Sequence, residues 1–182
     1  MKGGIRSVVV VLLLSLFLFP YCSGNKERAD TGKGGKETSL SGESKTGELH
    51  FVTLNGNSIP LSKFRGRIVF LLFFYSRSKE CIEQIKILEN FYERYKRYKV
   101  SVIGVSLDPN PKERLRGFID KYGITFPIYI NGKEVSRYFG GIGITPTILV
   151  IVSDGSVYEK VRGKKDFKFF KEKLREVRVK RL

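Results

Sequence analysis

Residues 68–75, Ile-Val-Phe-Leu-Leu-Phe-Phe-Tyr, are apolar without interruption. Successive side chains of a β-strand point to opposite faces, so a strand apolar at every position needs cover on both sides. Such a strand belongs in the middle of a sheet, and the rest of the chain has to supply the covering layers. The residues that follow begin to do so. Cys81, Ile85, Leu88, Tyr92 and Tyr95 recur at steps of three and four, with Glu83, Lys86, Glu89, Glu93, Arg94 and Lys96 largely opposite, which predicts an amphipathic helix. Residues 100–107 form a second buried strand, and Asp108-Pro109-Asn110-Pro111 reads as the punctuation opening a helix that runs to about Tyr122.

The remaining pattern is shorter but regular. A strand is expected over 126–130, a short helix over 133–139, a hairpin of strands 147–152 and 157–161 around Asp154-Gly155, and a closing amphipathic helix over 166–177. Ahead of the central strand, residues 51–54, the turn Asn55-Gly56-Asn57 and Ile59 read as a small hairpin, and 63–66 as a turn. Strands alternating with helices, then a hairpin and a last helix, give the α/β class: a three-layer α/β/α sandwich with a mixed central sheet.

The N-terminus has a different character. Lys2 and Arg6 precede an apolar run from Val8 to Phe19, broken only by Ser15 and ended by Pro20. That order is expected of an export signal, and the run is short for a membrane span, which takes roughly 20 residues. Cys22 follows at once. Its position resembles that of the acylated cysteine of bacterial lipoproteins, although Tyr21 is bulky where small residues normally stand. Lipid attachment at Cys22, cleavage near Gly24 and an uncleaved anchor all place the folded part outside the cytoplasm, and a membrane-anchored form is the expectation. Residues 23–47 are rich in Gly, Ser, Thr, Lys and Glu, a composition that buries too little to offset chain entropy and predicts a disordered tether. The expected organisation is therefore a signal over 1–22, a tether over 23–47 and a folded domain over 48–178.

With 34 Lys and Arg against 18 Asp and Glu, the formal charge is +16. A basic surface of this kind suits anionic lipid headgroups or an acidic protein partner. Nucleic-acid binding is not expected, because the cations are spread over the domain and no recognition motif accompanies them. Two cysteines and one histidine, His50, do not make a closed tetrahedral metal site, and no cofactor is expected. No phosphate loop, paired-carboxylate site or hydrolase constellation is evident.

Residues 51–56 (Phe-Val-Thr-Leu-Asn-Gly), 61–69 (Leu-Ser-Lys-Phe-Arg-Gly-Arg-Ile-Val) and 72–76 (Leu-Phe-Phe-Tyr-Ser) resemble the opening of the redoxins. That group holds the extracytoplasmic TlpA-type thiol-disulfide oxidoreductases and the related AhpC/TSA peroxiredoxins. The resemblance implies a thioredoxin fold. It identifies Thr145-Pro146 with the family's loop, whose proline is cis and whose residues line the groove for an extended substrate strand. It implies a protein thiol or disulfide as partner, from cytochrome c maturation or another redoxin. It also sets Ser78 at the place of the first cysteine of Cys-x-x-Cys, Cys81 at the second, Leu72 at a buried acid of thioredoxin and Arg77 at a tryptophan.

Ser78-Lys79-Glu80-Cys81 cannot close a disulfide on itself, so any redox chemistry passes through Cys81 and a second molecule. Ser78 reads first as a helix N-cap, and a serine hydroxyl without a base is a poor nucleophile. Cys81 has two readings: a small buried hydrophobe on the face of Ile85 and Leu88, or a reactive thiol in a first helical turn whose amide dipoles favour an anion. The same four residues also match the Thr/Ser-x-x-Cys spacing of peroxiredoxins, with Arg77 as the candidate peroxide-positioning cation. Three functions stay open at this point: monothiol redox protein, redox-inactive binding module and one-cysteine peroxidase.

Overall fold

The computed structural model describes residues 48–180. The expected signal over 1–22, the expected tether over 23–47 and Cys22 lie outside the described residues. Among the described residues no helix is long and apolar enough to cross a membrane.

The central strand is β3 (Ile68–Phe74), preceded by β1 (His50–Val52) and β2 (Ser58–Pro60). All seven residues of β3 are buried. Helix α1 (Lys79–Tyr95) carries the chain over to β4 (Val100–Ser106), which pairs with β3 in parallel from Ile68 opposite Val100 to Phe74 opposite Ser106. Helix α2 (Pro111–Tyr122) and β5 (Ile128–Tyr129) follow, then α3 (Gly132–Tyr138), β6 (Thr147–Ile151), β7 (Val157–Arg162) and α4 (Phe167–Val179). The five-stranded sheet has the order β5-β4-β3-β6-β7, with β6 antiparallel to β3 and β7 antiparallel to β6. The mixed sheet expected from the sequence is present, with β3 at its centre.

The two faces of β3 feed two cores. Ile68, Phe70, Leu72 and Phe74 pack with Cys81, Ile85, Leu88 and Phe91 of α1, Leu115 of α2, and Phe170 and Leu174 of α4. Val69, Leu71 and Phe73 face the other way, toward Leu49, Phe51, Tyr129 and Val135. This second layer departs from the expected one. The seven-residue α3 is the one α-helix that covers it among the described residues, and the β1–β2 hairpin, the 3-10 turn Leu61–Phe64 and Phe139 and Ile142 complete the cover, with Phe51 stacked on Tyr129 at 4.9 Å and edge-on to Phe64 at 5.9 Å. Gly132 lets α3 sit this close to the sheet, since a Cβ there would lie 2.0 Å from the Ser106 carbonyl oxygen.

Strand ends are shorter than the apolar pattern suggests. Residues 126–130 yield only Ile128–Tyr129, because Pro127 has no amide to donate and the edge pairing reaches only Gly104 and Val105. Thr53 leaves β1 after Val52, and its backbone closes the Asn55-Gly56-Asn57 turn, with Gly56 at φ +86°. In α1 the buried face holds Phe91 rather than Tyr92, which is only partly buried. Phe91 meets Phe70 at 5.1 Å and Phe170 at 5.6 Å, joining sheet, α1 and α4 in one aromatic cluster.

On the outer side of α4, Glu176 ties the helix to β7. Its carboxylate accepts from Lys173 Nζ at 2.7 Å, Tyr158 Oη at 2.6 Å and Lys180 Nζ at 3.3 Å. These bonds, that from Lys173 first, hold the carboxyl at about 2, against an ordinary value of 4.5. A depressed carboxyl stabilises the fold above its unfolded value and loses that contribution as pH falls through the folded one.

Two outcomes are expected. Phe91→Ala lowers unfolding free energy by about 3–5 kcal/mol, and Tyr92→Ala by clearly less, in chemical denaturation. Glu176→Gln is less stable than wild type at neutral pH; thermal melts show the gap narrowing as pH falls from 4.5 toward 2 and closing below it.

Candidate functional site

In a sheet of this kind, chemistry collects beyond the carboxyl end of the parallel strands, where the chain departs to opposite sides. From the end of β3 the chain passes through Tyr75, Ser76 and Arg77 to Ser78, the N-cap of α1. Ser78 is extended at φ −79° and ψ 125°, and its hydroxyl oxygen accepts from the Cys81 amide at 3.3 Å. The same hydroxyl donates to the Glu80 carboxylate at 3.0 Å. Glu80 is held below the usual carboxylate range, first by its own backbone amide and then by that hydroxyl. Ser78 is thus the helix cap expected of it, with its donor and one of its two acceptor lone pairs in use.

Cys81 occupies the first turn of α1 and is fully buried, with 0 % of its surface exposed. The structure therefore takes the buried reading of this residue in its resting state: the thiol lies in the core with Ile85, Leu88 and Leu72. Neither the monothiol nor the peroxide-reducing reading finds an open sulfur here. Leu72 puts only hydrocarbon where the resemblance implies an acid. His50 is remote in topology, on β1, its ring 2.9 Å from Ser58 Oγ. Arg77 is exposed on the loop between Tyr75 and Ser78.

The Thr145–Pro146 bond is cis, as the resemblance implied. Register brings it to the site: Thr147 lies opposite Phe73, so the chain entering β6 runs past the carboxyl end of β3. Ser78, Cys81, Arg77, Thr145 and Pro146 are gathered at one end of the sheet. The Pro146 carbonyl accepts from the Gly163 amide at 2.8 Å, whereas the Thr145 amide and carbonyl have no hydrogen-bond partner among the described residues. Tyr75 (42 % exposed) and Ile144 (50 %) lie on these two loops and give the end an apolar rim.

Two polar residues matter here that sequence reasoning passed over. Asp108, taken as helix punctuation, turns its buried carboxylate toward the loop before α1: Oδ2 accepts from the Ser76 amide at 3.0 Å and from Ser106 Oγ at 2.8 Å, while Arg114 stands 3.6 Å from Oδ1. The helix after it begins with Asn110 at the N-cap position, in the left-handed region and without a side-chain cap bond, and is led by Pro111. The available signal was an acid directly beyond a fully buried parallel strand. Gln84, one turn beyond Cys81, is fully buried, and its Oε1 accepts from the Lys165 amide at 2.6 Å. Ser76 Oγ and Gln84 Nε2 are buried without a hydrogen-bond partner among the described residues.

The sequence model described as "AhpC/TSA family" matches residues 43–160, well over half of the chain. The chain belongs to the AhpC/TSA family. Among curated proteins it is similar to the thiol-disulfide oxidoreductase ResA of Bacillus thuringiensis subsp. konkukian, 29% identical over 125 residues, covering 68% of this chain and 71% of that one. ResA of Halalkalibacterium halodurans is 33% identical over 105 residues, covering 57% and 58%. Among solved structures, StoA from Bacillus subtilis superposes with a TM-score of 0.60 at 22% identity, over 69% of this chain and 95% of that one. A thiol:disulfide interchange protein of the thioredoxin family from Chlorobium tepidum gives 0.65 at 19% identity, over 71% and 92%. The fold of this AhpC/TSA member is thus the thioredoxin fold.

Each anchor of the loop has a measurable weight. Ser78→Ala is expected to cost about 1 kcal/mol through the lost cap. Asp108→Ala leaves the buried Ser76 amide without its acceptor and is expected to cost on the order of 1–3 kcal/mol, both read by urea unfolding.

Proposed function

We propose that this AhpC/TSA member is a membrane-tethered, extracytoplasmic thiol-disulfide redox protein that acts through Cys81, with the second sulfur supplied by its partner. The observation that carries the reading is the position of Cys81 in the first turn of α1, at the end of the sheet that also bears the cis Thr145–Pro146 loop. Relatives named thiol-disulfide oxidoreductases support the class of chemistry. The sequence order of apolar segment, Cys22 and polar linker supports the tether.

The groove receives an extended strand of the partner. The free amide and carbonyl of Thr145 suit strand addition, and Tyr75 and Ile144 offer apolar contact on either side. The Cys81 thiolate then attacks one sulfur of a partner disulfide. That S–S bond breaks, the mixed disulfide forms, and the other partner sulfur leaves as a thiolate. A donor thiol attacks the Cys81 sulfur of the mixed disulfide and releases the partner as a dithiol; a second donor thiol then attacks the donor sulfur now bound to Cys81, so that Cys81 leaves as a thiolate and the two donor thiols leave as a disulfide. The exchange requires the start of α1 to open, because the thiol is buried. Ser76 Oγ and Gln84 Nε2, buried without partners among the described residues, favour opening, since hydrating such a group recovers roughly 1–3 kcal/mol.

One observation favours a second reading, a binding module without sulfur chemistry: complete burial of Cys81 beneath a cap whose hydroxyl is already engaged at both ends. The two are separated by trapping. The reduced chain is mixed with a Cys-x-x-Cys-His peptide in its disulfide form and quenched with acid, and adducts are mapped by mass spectrometry. The redox reading expects a mixed disulfide on Cys81 that is absent from Cys81→Ser. Binding of the peptide with equal affinity to wild type and Cys81→Ser, with no adduct on Cys81, would establish the module instead.

A further inference from the structure

The end of the domain remote from Cys81 has a chemistry of its own. Helix α4 carries Lys168, Lys171, Arg175 and Arg178 at steps of three, four and three, which places them in one stripe, and all four are exposed. The opposite face of the helix buries Phe170, Leu174 and Val177. Beside the stripe runs an open groove of about 450 Å³ to which Tyr95, Leu174 and Val179 contribute. Two acids border the cations: Glu172, 3.9 Å from Lys168, and Glu176, which shares a shallow pocket with Arg175 and Val179 but is engaged by Lys173, Tyr158 and Lys180.

The two most exposed large hydrophobic residues of the described chain are found at this same end: Val179 at 65 % and Tyr98 at 62 %. Arg178 Nη2 donates to the Tyr98 carbonyl at 2.8 Å, which joins the turn after α1 to the end of α4. Tyr98 is flanked by exposed Arg97 and Lys99. The surface therefore combines a striped cationic helix, an exposed tyrosine and an exposed aliphatic side chain. Cations on flexible stems match phosphates that have no fixed pattern, and tyrosine with an apolar neighbour suits the boundary between headgroups and acyl chains. An acidic protein would also satisfy the charges, but a protein interface buries a packed apolar core, whereas the large hydrophobic side chains exposed at this end of the described chain are Tyr98 and Val179, set among cations as a headgroup boundary requires.

We propose that this face, formed by the stripe of α4 with Tyr98 and Val179, rests on an anionic lipid headgroup surface. Tyr98 lies just beyond the C-terminal end of α1, and 17 helical residues at 1.5 Å each separate that end from the Ser78 cap by about 25 Å. Docking here leaves the Thr145–Pro146 groove turned away from the lipid and open to a partner. The contact is independent of whether Cys81 reacts.

The full chain, bound to liposomes of phosphatidylcholine alone or with added phosphatidylglycerol, is labelled with an acetylating reagent, and each lysine is quantified by mass spectrometry. Labelling of Lys168 and Lys171 is expected to fall at least about fivefold on the anionic vesicles, and to recover in about 0.5 M salt as screening shortens to a few ångströms. Lys133, exposed on α3 across the sheet, should not change. In a variant combining Lys168→Glu, Lys171→Glu, Arg175→Glu and Arg178→Glu, checked for folding by its thermal melt, Lys99 should lose its protection. Equal labelling of Lys168 and Lys171 on the two vesicle types overturns the proposal. Protection by polyglutamate but not by anionic vesicles overturns it in favour of an acidic protein.

Discussion

Everything in this domain depends on burying β3 on both faces. A strand with a phenylalanine, leucine, isoleucine or valine at each of its seven positions is stable in water only between two layers. One layer is thick, built from α1, α2 and α4 around the Phe70–Phe91–Phe170 cluster. The other is thin, a short helix and a hairpin pressed close by Gly132. The candidate site is a by-product of that construction. Where β3 ends, the chain has to turn outward into α1, and β6 enters beside it with its cis proline.

The same constraint determines what Cys81 is. A residue in the first turn of α1 on the side of Ile85 and Leu88 is drawn into the thick core, so the thiol is packed rather than presented. The loop above it is fastened from below by Asp108 through the Ser76 amide and from within by the Ser78 cap. Under the proposed redox function, access to the sulfur requires the first turn of α1 to open locally. The basic stripe of α4 is the other consequence of a thick layer. Its inward face is consumed by the core and leaves the cations Lys168, Lys171, Arg175 and Arg178 together on the exposed side.

Much of the fold was legible in residue order. The apolar run 68–75, the three- and four-residue steps of α1 and the Asp154-Gly155 turn each have one structural solution, because strand and helix periods differ and tight turns need particular residues. Phe91 was misplaced relative to Tyr92 because the two are adjacent on the helix and either ring can continue the stripe; the cavity beside Phe70 and Phe170 selects Phe91. Strand 126–130 shrank because pairing length depends on the neighbour, not on the apolar run. Of the site, Ser78 as a cap was readable from local chemistry. The roles of Asp108 and Gln84 were not, since each bonds to a backbone amide far off in sequence, Ser76 and Lys165.

By itself the sequence determined the class of the sheet, the order of its elements, the absence of a self-closing disulfide at 78–81 and the strongly positive charge, all properties of local pattern or of composition. Only the tertiary structure decided that Cys81 is buried, that Asp108 holds the loop before α1, and that Tyr98 and Val179 stand together beside the cations of α4. Those facts concern which residues meet, and contact between distant segments is set by how the layers pack around β3 rather than by the residues at any one place.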